Sequence, residues 1–135
     1  MKQEAKPFTT GKRKRAVARA WITKGTGIVK VNAAPLETLT NDLVRMKIRE
    51  PLILAGDATK GFDIHVSVRG GGIMGQADAV RQAITRALIS QVPTLKERFM
   101  HYDRFMVVYD PRRTEPHKPP RSSQGPRRHK QRSKR

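Results

Sequence analysis

The sequence contains no cysteine, and this absence excludes several kinds of chemistry. Disulfide bonds, zinc sites built on thiolates and catalysis by a thiol nucleophile all require cysteine. No apolar run approaches the roughly 20 residues that span a bilayer, and no lipidation motif is present. The N-terminal segment MKQEAKPFTT also lacks the apolar stretch of a signal peptide. We therefore expect a cytoplasmic protein without disulfides and without a membrane partner.

Acidic residues are scarce relative to basic ones. The 135 residues include 29 Lys and Arg against 11 Asp and Glu, a net charge of +18. The excess is +6 in residues 1–19 and +9 in residues 111–135, but only +3 in residues 20–110. Such an excess is self-repelling unless a polyanion neutralises it. The charge favours nucleic acid as the partner, with an anionic membrane surface as the weaker alternative.

The last 25 residues contain no Ala, Val, Ile, Leu, Met, Phe, Trp, Tyr or Cys, and they hold five of the nine prolines. A segment with nothing apolar to bury cannot offset the entropy lost on ordering, and proline disfavours helix. We predict a globular domain over residues 1–110 and an extended basic tail over residues 111–135 that binds phosphates. A tail that serves only solubility is the alternative.

The middle of the chain has the patterns of a small α+β domain. Residues 16–23 and 28–32 read as strands joined by a hairpin turn at 24–27. Residues 62–69 alternate between apolar and polar side chains, which predicts a half-buried strand. A helix is predicted over about residues 75–91. One sheet with helices on one face, a two-layer domain, fits this order.

The remaining elements are predicted from capping residues and proline. A helical stretch begins near Asn41, with Thr40 or Asn41 as its N-cap, and Pro51 is expected to divide it. A capping signature at Thr94 predicts a short helix. Phe105–Tyr109 is predicted as the last strand. On the long helix, the outer face is predicted to carry Asp78, Gln82 and Arg86, with Arg81 at its flank.

Four consecutive cations occupy positions 12–15, within TGKRKR at the predicted start of the first strand. Alternation places Arg19 and Trp21 on one side of that strand. An arginine and an indole beside a cationic strand end suit RNA backbone and exposed bases. For Trp21 itself, a place in the hydrophobic core is the alternative.

The glycine-rich loop GGGIMG before the long helix allows three interpretations. Small-molecule kinases use such loops, but the Walker pattern requires Lys and then Ser or Thr after the last glycine. Gln76 and Ala77 stand there instead. An RNA phosphate at Gly71 and Gly72, or a tight connection without any ligand, remain open.

No constellation for catalysis or metal binding is visible. The four histidines are not spaced as a metal pair on one helix face, and no nucleophile has an adjacent base. We predict no catalytic residue, no metal and no cofactor.

Several segments together resemble the family of small-subunit ribosomal protein nine. They are TGKRKRAVARAWI, IREPLILAGD, GGGIMGQADAVRQAITRAL, YDRFMVVYDPRRTEPHKP and the terminal QRSKR. The resemblance covers about Thr10 to Arg135, and DPRRTEPHKP is typical of the archaeal and eukaryotic branch. Lys134 replaces the tyrosine that this branch often has, which removes an aromatic ring and adds a charge.

The resemblance implies a domain like the second domain of small-subunit ribosomal protein five. It also implies a place in the subunit head, on the 3′ major domain of the small-subunit rRNA, beside neighbouring ribosomal proteins. The tail would then reach the anticodon stem-loop of P-site tRNA. A nucleotide-dependent enzyme and a DNA-architectural protein are the rival functions.

Charge, position and resemblance together define the candidate site. The residues predicted to contact rRNA are Lys12, Arg13, Lys14, Arg15, Arg19, Gly71, Gly72, Arg81, Arg86, Arg112, Arg113, Lys118, Arg121, Arg127, Arg128 and Lys130. Those predicted to contact tRNA are Arg132, Ser133, Lys134 and Arg135.

Overall fold

A computed structural model describes residues 7–116 of the chain. Five strands and three helices make up this part. The strands are β1 (Phe8–Arg13), β2 (Ala16–Lys24), β3 (Val29–Val31), β4 (Ala34–Pro35) and β5 (Phe62–Arg69). The helices are α1 (Asp42–Ala55), α2 (Ile73–Gln91) and α3 (Leu95–Tyr102), with single turns of 3-10 helix at Leu36–Thr38, Gly56–Thr59 and Arg104–Met106.

The strands form one sheet in the order β1-β2-β5-β3-β4. Every pairing is antiparallel except that of β3 with β5, which is parallel. Helix α2 packs against β1, β2 and β5, and α1 packs against α2. The predicted α+β class, with one sheet, is confirmed. The boundary at residue 110 stays a prediction, because residues 117–135 lie outside the described part.

The core lies between α2 and the central strands, where small side chains let the two layers approach. On β2, Ala16, Ala18 and Ala20 are buried, and on α2 so are Ala79 and Ala83. Strand β5 adds its buried alternate residues, as its sequence pattern predicted. The predicted apolar stripe of the long helix is also buried: Ala77, Val80, Ile84, Ala87 and Leu88.

The predicted hairpin between residues 16–23 and 28–32 is wrong. Both segments are strands, but β5 lies between them and pairs with each. The Oδ1 atom of Asp63 accepts hydrogen bonds from the amides of Thr26 (2.9 Å), Gly27 (3.1 Å) and Ile28 (3.0 Å). The link therefore crosses the start of β5 and is fastened there by a carboxylate, which local turn preferences cannot indicate.

Two predictions about strands fail at the ends of the domain. The basic run at positions 12–15 was predicted to begin the first strand. Instead, its first two residues end a separate strand, β1, and its last two join β1 to β2. Phe105–Tyr109 is not a strand: its first residues lie in a 3-10 turn, with Met106 buried. The side chain of Asp103 caps that turn, accepting from the amide of Phe105 at 3.0 Å.

The helix predictions are right in position and wrong in some details. Asn41 caps α1, accepting from the amides of Leu43 and Val44, but Pro51 does not divide that helix. Proline has no N–H, so the helix lacks one hydrogen bond at this position. Burial of the Pro51 ring offsets that loss. The α3 helix is confirmed, although the Thr94 side chain makes no capping bond. Gln82 is not on an outer face: it is only 3% exposed.

Gly11 supplies the sharpest test of this packing. A Cβ there would overlap the carbonyl oxygen of Ala79 and lie 2.5 Å from the amide nitrogen of Ala83. We expect Gly11→Ala to lower the free energy of unfolding by about 1–3 kcal/mol or more, because backbone cannot move aside as a side chain can. Urea denaturation of the full chain measures this. Gly61→Ala is the matched control, since a Cβ there meets nothing within 4 Å, and equal stability of the two variants would contradict the packing.

Candidate nucleic-acid interface

One face of the sheet is not covered by helices. Thr9 and Gly11 of β1 point toward α2, as the hydrogen bond from the Thr9 hydroxyl to Ala83 O (2.9 Å) shows. Their neighbours therefore point to the opposite side, as do the alternate residues of β2, β3 and β5. We call this side the open face; its residues are Phe8, Thr10, Lys12, Val17, Arg19, Trp21, Thr23, Lys30, Asp63, His65, Ser67 and Arg69.

The strand register sets these side chains in rows. Phe8 pairs with Trp21, which pairs with His65, which pairs with Lys30. In the next row, Thr10 pairs with Arg19 and Arg19 with Ser67; in a third, Val17 lies between Lys12 and Arg69. The aromatic pair Phe8 and Trp21 thus has Arg19 in the neighbouring row and Lys30 at the far end of its own row.

The aromatic pair is available for stacking. The ring centroids of Phe8 and Trp21 are 6.2 Å apart, at 51° to each other, and Phe8 is 51% exposed. The guanidinium carbon of Arg19 lies 5.5 Å from the Phe8 centroid. Trp21 is half-buried and faces away from the core. Exposed rings beside an arginine are the surface on which unpaired bases stack.

The open face carries a net positive charge that carboxylates do not cancel. Among residues 7–116, no ion pair joins Lys12, Arg19, Lys30 or Arg69 to an acid. The one acid of this face is Asp63, whose pKa is lowered by the hydrogen bonds from Ile28, Thr26 and Gly27. That carboxylate is occupied by backbone amides, so the unpaired cations are free for an external anion.

The basic turn, Lys14 and Arg15, joins β1 to β2 and lies beside the glycine loop. Lys14 takes a left-handed conformation (φ 53°), and both side chains are exposed. A Cβ on Gly70 would lie 2.7 Å from the carbonyl oxygen of Arg15, and one on Gly71 would lie 3.0 Å from the amide nitrogen of Ala16. Two predicted RNA-binding segments, distant in sequence, are therefore neighbours.

Two other predicted RNA-binding arginines are engaged by carboxylates. The Nη1 atom of Arg13 lies 2.9 Å from an Asp110 carboxylate oxygen, and Nε lies 3.9 Å from Asp78. The Nη2 atom of Arg81 lies 2.7 Å from Glu50 and 3.0 Å from Asp103, and this side chain is only 14% exposed. Both arginines join parts of the fold, and their contact with RNA stays a prediction.

The junction of domain and tail, Asp110–Arg113, is fastened to the domain; we call it the tail root. Asp110 is buried, and both its oxygens accept from the Arg112 side chain at 2.7–3.1 Å. These bonds, with that from the Arg112 amide and the charge of Arg13, lower the Asp110 pKa to about 2 against the cost of burial. Arg113 instead donates to the phenol oxygen of Tyr109.

Several candidate residues lie outside the described part of the chain, and only their sequence supports them. They are Lys118, Arg121, Arg127, Arg128, Lys130, Arg132, Ser133, Lys134 and Arg135. The sequence interpretation also left unassigned several residues of the open face. For Lys30, His65 and Arg69, the alternation of β3 and β5 was the available signal; for Phe8 there was none, because β1 was not recognised as a strand.

The described residues show neither a metal-binding cluster nor a membrane-spanning helix. Within residues 7–116, no group of three His, Asp or Glu side chains is placed to hold a metal ion. No helix of that part is long and apolar enough to cross a membrane.

Comparison with known proteins decides the family. Residues 11–135 match the family described as ribosomal protein S9/S16. A small ribosomal subunit protein uS9 of Methanococcus maripaludis is 46% identical over 127 residues, which cover 93% of this chain and 95% of that protein. The protein of the same name from Methanococcus vannielii is 47% identical over 127 residues, which again cover 93% of this chain and 95% of that protein.

The chain belongs to the ribosomal protein S9/S16 family. The resemblance stated from the sequence motifs is thereby confirmed. Members of this ribosomal protein family are structural, so the prediction that the chain is not an enzyme is also confirmed. The rival interpretation of the glycine loop, as the phosphate-binding loop of a nucleotide-dependent enzyme, is set aside.

The buried carboxylate of the S9/S16 chain predicts a pH dependence. Because the pKa of Asp110 is lowered to about 2 from 3.8, its contribution to stability is complete above the unfolded pKa and is lost as pH falls from about 4 to 2. We expect Asp110→Asn to cost about 1–2 kcal/mol above pH 5, and less with each step toward pH 2.

Urea denaturation between pH 2 and pH 6 checks this expectation. Asp57→Asn is the control, because the Asp57 side chain is 89% exposed and, within residues 7–116, forms an ion pair only with the exposed Lys60. A stability difference between wild type and Asp110→Asn that does not change with pH would contradict the role given to this carboxylate.

Proposed function

We propose that this chain is a structural constituent of the small ribosomal subunit that binds small-subunit rRNA through the open face and the basic turn. The carrying observation is the uncovered sheet face with unpaired cations around two aromatic rings. Lysine and arginine neutralise phosphates and release counterions, while the rings offer stacking surfaces to unpaired bases. Family membership supports the same conclusion.

The location follows from the family resemblance and from charge. We infer that the chain lies in the head of the small subunit, on the 3′ major domain of the rRNA, in the cytoplasm. The relatives that it matches are named as small ribosomal subunit proteins. We infer that the basic tail, residues 111–135, runs along rRNA toward the P site; the tail root supports this by fixing where the tail leaves the domain.

A neighbouring protein is the proposed partner of helix α1. Leu43, Met46 and Ile53 are 63%, 64% and 74% exposed, and their spacing of three and seven residues places them on one side of the helix. That side carries apolar groups in a chain of net charge +18. Apolar surface of this kind suits another ribosomal protein better than phosphate.

The rRNA proposal predicts a change in salt dependence. We expect the double variant Arg19→Gln and Arg69→Gln to bind head-domain rRNA more weakly, with a log–log salt slope lower by about 1.5, since each phosphate contact contributes roughly 0.7–0.9. The matched control is Lys24→Gln with Lys60→Gln, which removes the same charge away from the open face. Equal slopes in the two double variants would show that only net charge matters, and would overturn the proposal.

The tail proposal predicts an effect on tRNA. Removing Ser133, Lys134 and Arg135 should leave subunit assembly intact and weaken P-site tRNA binding several-fold. Two terminal cations at a partly exposed phosphate contribute roughly 1–3 kcal/mol as charge-assisted hydrogen bonds, and less after salt screening. Dissociation of tRNA from reconstituted subunits is the measurement.

A full-length variant with Lys134→Gln and Arg135→Gln separates charge from length. A second control, Lys118→Gln with Arg121→Gln, removes two tail charges far from the tip. If tip and control variants release tRNA at the wild-type rate, with equal subunit yield, the tip is one more rRNA anchor.

A further inference from the structure

A small pocket lies where the edge strand β1, helix α2 and the tail root meet. It has a volume of about 260 Å³ and is lined by residues from all three; we call it the edge pocket, and its residues are Thr10, Lys12, Gln82, Arg86, Tyr109 and Arg113. Three of the six are cations and none is an acid. An adjoining cavity along the same strand contains Asp78, Asp103 and Asp110, which pair with its arginines and with Lys47. The edge pocket lacks such internal neutralisation.

Side chains from α2 fix the wall of the edge pocket. β1 is the outer strand of the sheet, so some of its backbone groups have no strand partner. The Gln82 Oε1 atom accepts from the Lys12 amide at 2.8 Å, and Arg86 Nη1 donates to the Thr10 carbonyl at 3.0 Å. These two bonds position Gln82 and Arg86 without placing an acid beside either.

The Gln82 side chain, which lines the edge pocket, keeps one donor without an acceptor among the described residues. Because Oε1 of Gln82 faces the Lys12 amide, its Nε2 is the other end of the amide, and this buried atom has no hydrogen-bond partner among the described residues. An unsatisfied buried donor costs about 1–3 kcal/mol. The single bond between Gln82 and the Lys12 amide therefore leaves the Gln82 Nε2 donor without an acceptor.

The tail root contributes a second set of donors. Arg113 donates to the Tyr109 hydroxyl through Nε at 3.1 Å and Nη2 at 2.6 Å, and its guanidinium carbon lies 5.9 Å from the ring centroid. Since the phenol oxygen accepts both bonds, its own hydrogen is free to be donated elsewhere. Two arginines and a phenol then line one small space, beside the backbone of Thr10 and Lys12.

We propose that the edge pocket binds a single phosphodiester of an RNA backbone. The inference rests on the proposed rRNA binding and assigns one contact of it. A phosphate oxygen supplies the negative charge and the acceptors that Arg86, Arg113 and the Tyr109 hydroxyl require, and arginine forks bind phosphate in fixed geometry. Because Tyr109 and Arg113 belong to the start of the tail, the bound phosphate also ties the tail to the RNA where it leaves the domain.

The test uses the full chain and the dinucleotide uridylyl-3′,5′-uridine, which has one phosphodiester, with uridine as the uncharged comparison. We expect saturable NMR shifts at the Nε–H signals of Arg86 and Arg113 with the dinucleotide and not with uridine. Arg113→Gln and Tyr109→Phe should each weaken the binding roughly three- to tenfold, as expected for loss of a charge-assisted or phenolic hydrogen bond. Arg113 is exposed and lies outside every helix and strand, so we expect its variant to keep the fold.

The control is Lys24→Gln, which removes one charge from the far end of β2 and should change the affinity less than twofold. Shifts spread over all exposed cations, or equal losses in Arg113→Gln and Lys24→Gln, would overturn the inference. If that happens while the open-face variants still alter the salt slope with rRNA, only the edge pocket fails. If the open-face variants leave rRNA binding unchanged, the proposed function fails separately.

Discussion

The close contact between Gly11 and the backbone of α2 is the constraint from which the rest of the arrangement follows. With no side chain at Gly11, β1 lies directly on the helix, and the Thr9 hydroxyl reaches Ala83 O at 2.9 Å. That position brings Arg13, two residues further along β1, to Asp78 and Asp110. The second of these carboxylates begins the tail root. One steric requirement in the N-terminal strand thus determines where the C-terminal tail leaves the domain.

Within residues 7–116, two groups of cations differ in their partners. Arg13, Lys47 and Arg81 are paired with carboxylates between β1, the helices and the tail root, and they join elements that are distant in sequence. Arg19 and Arg69, on the open face, have no acid partner within the described residues. An RNA phosphate could bind the paired cations only by displacing carboxylates that join parts of the fold. The unpaired cations can bind phosphates at no such cost. The central claim is that RNA binds to the unpaired group.

Much of the fold could be predicted from local patterns, and the failures have a common cause. β5 and α2 were recognised because each buries one regular set of apolar residues. β1 was missed because FTTGKR has no apolar alternation; a glycine and a threonine face the helix instead. Gln82 was expected outside because nothing in α2 itself shows that β1 will cover it. The site followed the same rule: the cation run was evident, whereas the pairing of Arg13 with Asp110 depends on contacts 97 positions apart.

Directed cleavage of rRNA from single positions on the protein tests the central claim most directly. The chain has no cysteine, so one cysteine at a time can carry a tethered Fe(II)–EDTA group. Ser67→Cys places the probe on the open face between Arg19 and Arg69, and Ile53→Cys places it on the exposed side of α1. In reconstituted subunits, we predict strong cleavage of the 3′ major domain from position 67 and weak cleavage from position 53. Cleavage from position 53 with none from position 67 would contradict the account, because the RNA would then lie against the helices.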